Sequence, residues 1–105
     1  MIGRIWHGYT TIDNADVYEN LLREEIFLGI ASKKITGYKG IQLFRRSLKE
    51  EVEFITIMWF DSIEDIKKFA GGDYETAVVP PKARAVLKRF DDRSQHYEVR
   101  EQITY

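Results

Sequence analysis

The chain has no cysteine, which excludes disulfides, thiolate nucleophiles and cysteine-based metal or iron–sulfur centres. It has only two histidines, His7 and His96, and a metal site built on them would need several carboxylates at no recognisable spacing. No metal and no other cofactor is expected. An excess of charge of one sign is also missing: 16 basic residues stand against 17 acidic ones, leaving no field to collect nucleic acid or anionic lipid. No apolar run approaches the ~20 residues of a membrane span, and Met1 to Tyr9 lacks the basic start and apolar centre of a signal peptide. These absences point to a soluble, cytoplasmic protein with neither nucleic acid nor membrane as a partner. Phosphate loops are excluded too, since Gly71-Gly72 follows a helical stretch rather than a strand, and no Gly-x-Ser-x-Gly elbow occurs.

What is present suffices for one domain, residues 1–105: with 44% hydrophobic residues the chain can bury a core without covalent staples, but it is too short for a second. From Val52 to Phe60 almost every position is apolar or β-branched. Both parities, Val52/Phe54/Thr56/Met58/Phe60 and Ile55/Ile57/Trp59, therefore call for burial, and the strand must be central. Before it, Ile2 to Tyr9 reads as a strand. Ala15, Val17, Tyr18, Leu21, Leu22 and then Ile26 or Phe27 recur at helical spacing, with Thr11, Asp13 or Asn14 as cap and Gly29 expected to weaken or kink the helix. Tyr38 to Leu48 alternates, Ile41 and Leu43 against Gln42 and Phe44, and a polar tip of Lys49, Glu50 and Glu51 makes a hairpin with the central strand. After Phe60 the period becomes helical: Ser62 and Asp65 have capping-box spacing, Ile63, Ile66 and Phe69 form the stripe, and Gly71-Gly72 stops it. Pro80-Pro81 opens another helical segment with Ala83, Val86, Leu87 and Phe90 inward. Arg93 to Ile103 closes the chain as a strand.

This order specifies an α+β, ferredoxin-like βαββαβ fold with a four-stranded antiparallel sheet, the first and third strands central. Helices cover one face of such a sheet. To that face we assign Ile5, Ile41, Leu43, Ile55, Ile57, Trp59, Tyr97 and Val99, and to the open face Trp6, Phe44, Phe54 and Met58. An apolar open face calls for a second sheet, so a two-fold homodimer is expected.

The segments Ile5-Trp6-His7-Gly8, Trp59-Phe60-Asp61-Ser62 and His96-Tyr97-Glu98-Val99, in this order of elements, resemble the antibiotic biosynthesis monooxygenase family of dimeric α/β barrels. The resemblance implies a dimer whose two sheets form a barrel, a pocket between sheet and helices in each protomer, and cofactor-free oxygenation of an electron-rich aromatic substrate. Two departures stand out. Polyketide-oxidising members carry an Asn four positions before the Trp, where this chain has Ile55. Haem-degrading members have a His ligand in the second helical region, whereas no His lies between Trp59 and Gln95.

Trp59, a candidate for catalysis and for substrate binding, joins a large apolar face to an indole N–H, which suits the wall of an aromatic-ligand pocket as well as it suits a core. His7 is a candidate catalytic base able to take a phenolic proton, the alternative being a strand-end histidine. Tyr97 is a candidate to orient a substrate oxygen, with Tyr9, Tyr18 and Tyr74 as weaker candidates at the pocket mouth, while His96, on the opposite parity, reads as an edge or dimer-face residue. Two functions stay open: a monooxygenase acting on a small, apolar, aromatic substrate, and a non-catalytic ligand-binding or structural barrel protein.

Overall fold

The computed structural model describes residues 1–105. Strand β1 (Ile2–Thr11) lies antiparallel to β3 (Glu51–Phe60), in register from Ile2 opposite Phe60 to Thr11 opposite Glu51. On the other side of β3 runs β2 (Tyr38–Ser47), and their hairpin closes with the Leu48 amide donating to the Glu51 carbonyl at 2.8 Å. The outer position beside β1 is shared by β4 (Arg89–Phe90) at one end and β5 (Gln95–Glu98) at the other. The first and third strands are thus central, as the pattern requires. The closing strand is much shorter than Arg93 to Ile103: it pairs with β1 from Gln95 opposite Ile5 to Glu98 opposite Ile2, and beyond it the Val99 amide donates to the Met1 carbonyl.

Between β1 and β2 one helical run carries the chain through α1 (Ala15–Leu21), a π-helical stretch at Leu22–Ile26 and α2 (Phe27–Ser32). Gly29 does not break it and lies inside α2. The irregularity falls at Leu22–Ile26 instead, a form often associated with functional sites. Ala15, Tyr18 and Leu22 make the buried stripe, and Val17, off that stripe, is exposed. Helix α3 (Ile63–Ala70) begins at Ser62, whose hydroxyl accepts from the Asp65 amide and donates to the Asp65 carboxylate, a cap that contributes about 1 kcal/mol. Pro81 opens α4 (Pro81–Val86), where its missing N–H costs nothing.

Both core clusters take one parity of β3. Val52 and Phe54 pack with Ala15, Tyr18, Leu22 and Ala83, and Met58 and Phe60 pack with Ile66. Phe54 meets Tyr18 edge to face at 4.9 Å. The face assignment made from sequence is therefore reversed for the central strands. Trp6, Phe54 and Met58 point at the helices, whereas Ile5, Ile55, Ile57, Trp59, Tyr97 and Val99 lie on the open face. For β2 it holds: Ile41 and Leu43 pack under the helices, and Phe44 is on the open side. A register shift between Tyr38 and Gly40 changes the phase of β2 against β3. Two glycines make room for the two tryptophans on opposite faces. A β-carbon on Gly3 would press against the Trp59 ring at 3.2 Å, and one on Gly8 would fall 2.7 Å from the Trp6 ring.

Candidate functional site: the cleft between helices and sheet

On the helix side of the sheet, β1 and β3 turn Arg4, Trp6, Thr56 and Met58 towards the irregular helical run. The π-helical stretch and α2 contribute Leu22, Ile26, Phe27 and Ile30, and the segment before α4 contributes Val78, Val79 and Pro80. Together they enclose a cavity of about 60 Å³ with mostly apolar walls. It adjoins a wider groove of about 690 Å³, which shares Ile26, Ile30, Phe69, Val78 and Pro80 with it and opens past Lys33 and Lys82. A small inner chamber leading to a broader apolar mouth matches the general form of a small-molecule site.

The polar residues of the inner chamber are Arg4, Thr56 and Ser94. Arg4 is 3% exposed, yet no carboxylate lies within salt-bridge distance of it. Its guanidinium donates to the carbonyls of Tyr74 and Thr76 and to the His96 ring at 2.9 Å, and the plane sits 5.7 Å from the Phe69 ring centre. Burial draws its pKa down to about 10, so it remains a cation at neutral pH. Because arginine has only donors, His96 Nε2 must be the acceptor, which places the proton of the neutral ring on Nδ1. That Nδ1 is buried and has no partner. Burial and then the Arg4 charge push the His96 pKa below its ordinary 6.5.

A depressed histidine pKa means that the unfolded chain binds the proton more readily than the folded one. Stability is then expected to be constant above about pH 6.5 and to fall as pH drops from there towards the folded-state pKa. Thermal unfolding at pH 7.5, 6.5 and 5.5 should show this decline, and His96→Gln, which keeps an acceptor for Arg4, should flatten it. An unchanged slope in the variant would remove His96 as its cause.

Among the sequence candidates, Tyr74 lies beside this cleft, edge to face with His96 at 5.1 Å, its carbonyl bound to Arg4. Tyr18 is buried and lines the inner chamber. The others are on the opposite face. Trp59 donates from its indole to Gln42 Oε1 at 2.8 Å and shares an open-face groove with Tyr97. Further along that face, Glu53 gathers His7 Nδ1 at 3.2 Å, the Tyr9 hydroxyl at 3.3 Å and Arg46 Nε at 2.5 Å. The hydrogen bond from Arg46, with those from His7 and Tyr9, holds the Glu53 carboxyl below its ordinary range. Burial, with Glu53 nearby, raises the Tyr9 phenol. His7 and Trp59 therefore do not reach the helix-side cleft, and the parity reversal is the reason. His96, read from sequence as an edge or dimer-face residue, instead points inward to Arg4. Arg4 is not among the candidates the sequence offers, although a lone arginine between Ile2 and Trp6 at the same strand parity is a visible signal in it.

A solved structure described as a "putative antibiotic biosynthesis monooxygenase" from Bacillus cereus superposes with a TM-score of 0.67 over 99% of this chain and 97% of that one, at 12% sequence identity. The likeness is one of fold. No family model matches the sequence, and no curated protein does. The shared fold agrees with the architecture expected from the pattern of elements, and its helix-covered sheet is what creates the cleft.

Proposed function

We propose that the protein is a small homodimeric monooxygenase that needs no cofactor and takes a small, largely apolar aromatic substrate into the cleft between helices and sheet. The observation that carries this reading is the cleft itself: a narrow chamber and a wide apolar mouth in the fold of a monooxygenase-like protein. In such a reaction a substrate deprotonated at an activated C–H or O–H passes electrons to dioxygen. For an anthrone, one oxygen atom replaces the two hydrogens of the methylene and the other leaves as water.

The dimer forms through the open face. Ile5, Ile55, Ile57, Trp59, Phe44 and Tyr97 lie there, partly or largely exposed in the single chain, and a second copy would cover them. Sedimentation at micromolar concentration should give a dimer, and Ile57→Glu, which places a charge among these groups, should give a monomer. A wild-type monomer overturns this part.

Oxygen uptake with hydroquinones and anthrones tests the activity. Uptake above the uncatalysed rate, lost in Ala83→Leu, which fills the cleft, is the expected result. His7→Ala and Trp59→Phe are the companion variants. Loss of uptake in these two with retention in Ala83→Leu would move the chemistry to the open face. No uptake with any of them leaves the second reading, a ligand-binding barrel without turnover. One observation favours that alternative: the imidazole nearest the cleft, His96, has its acceptor nitrogen engaged by Arg4 and is not free to act as a base.

A further inference from the structure

We propose that Arg4 is an anion receptor at the inner end of the cleft, so that the ligand is a planar apolar molecule bearing one ionised oxygen, such as an aromatic carboxylate, which enters oxygen first. This rests on the reading of the helix-side cleft as the binding site and adds the charge of what binds there.

A guanidinium 3% exposed with no carboxylate in reach is unusual, because a buried charge is normally paired. Three of its five N–H groups are used, on the Tyr74 and Thr76 carbonyls and on His96. All three acceptors are neutral, so the charge itself is left without a counter-ion, and two donors remain. Arg4 borders the inner chamber, where Thr56 and Ser94 add hydroxyls. At about 60 Å³ this chamber has room for a carboxylate but not for an aromatic body, which the wider groove of about 690 Å³ receives.

A second cation marks the route. Lys33 lines the mouth, makes no salt bridge, and holds its ammonium 5.4 Å from the same Phe69 ring whose centre is 5.7 Å from the Arg4 guanidinium. Phe69 lines both compartments, so an incoming anion meets one free positive charge at the entrance and a second at the floor. The only carboxylate on the groove, Glu25, is already paired with Lys82 at 3.0 Å. Charge complementarity along the cleft is therefore with an anion.

The test compares two ligands of the same shape, 2-naphthoate and 2-naphthamide. Binding is followed by quenching of Trp6, which borders the cavity, in a Trp59→Phe background where it is the sole tryptophan. At pH 7 the acid is expected to bind at least about tenfold more tightly than the amide, the scale of a hydrogen bond to a charged partner. Arg4→Gln should bring the two within about twofold, and Arg4→Lys should restore part of the preference. Equal binding of acid and amide, or tighter binding of the amide, overturns the proposal. That comparison needs only the Arg4-containing protein, so it stands even if Arg4→Gln fails to fold. Preference for the acid without oxygen uptake overturns the monooxygenase reading and leaves the receptor. Uptake with neutral hydroquinones, blocked by Ala83→Leu but accompanied by no acid preference, does the reverse.

Discussion

Phe54→Ala is expected to lower the unfolding free energy by about 3–5 kcal/mol, the range for removing a fully buried phenylalanine. Phe54 is 0% exposed and fills the space between Tyr18, Leu22 and Ala83, with the Arg45 guanidinium 5.5 Å from its ring. Truncation removes the ring and leaves a hole that the α1 helix and β3, fixed by their own hydrogen bonds, cannot close. Phe44 is the matching control, since it is a phenylalanine on the neighbouring strand that is 47% exposed on the open face. If the proposed dimer covers the open face, urea unfolding of Phe44→Ala should shift only through dimerisation, and so depend on protein concentration, whereas the loss in Phe54→Ala should persist at every concentration. Equal, concentration-independent losses in the two would contradict the assignment of faces.

Gly37→Ala should be nearly as damaging, at roughly 2–4 kcal/mol, because two penalties coincide. Gly37 has φ of +84°, a conformation that side chains disfavour. A β-carbon there would also lie 2.0 Å from Asp65 Oδ2, well inside contact distance. Asp65 has little freedom to move, for it is held by Ser62 at the start of α3 and by Lys68 at 3.0 Å. The Gly37 carbonyl also accepts from the Asp61 amide at 2.9 Å, so displacing this turn would disturb the end of β3 as well. Thermal unfolding checks the magnitude. Gly29→Ala, with open space around its β-carbon position inside α2, should be neutral or stabilising by up to about 1 kcal/mol. A similar loss at both positions would point to general backbone sensitivity rather than to the Asp65 contact.

The order of elements, the central place of the Val52–Phe60 stretch and the Ser62 cap were legible in the sequence because each rests on local chemistry: alternation, β-branching, and a hydroxyl three residues before an acidic side chain. Which face of that strand meets the helices was not read correctly, and the cause is specific. Both parities of Val52–Phe60 are apolar enough to be buried, so hydrophobicity alone cannot choose between them. Glu53 could have decided it. It shares parity with Ile55, Ile57 and Trp59, and a carboxylate there finds Arg46, His7 and Tyr9 on the open face, where under the helices it would have met Tyr18 and Leu22. One reversed parity then carried His7, Trp59 and Tyr97 to the wrong side.

The local sequence by itself determined the periodicities, the caps and the turns, and through them an α+β protein with a helix-covered antiparallel sheet. Only the tertiary structure decided what the cleft contains. Arg4 and His96 are 92 positions apart and meet because β1 and β5 pair with Arg4 opposite His96, while Phe69 comes over Arg4 from α3. A strand's period of two says which residues share a face, but whether that face is covered depends on where the helices settle. That outcome is a property of the packed chain, and it turned an unremarked arginine in the first strand into the one buried charge of the cleft.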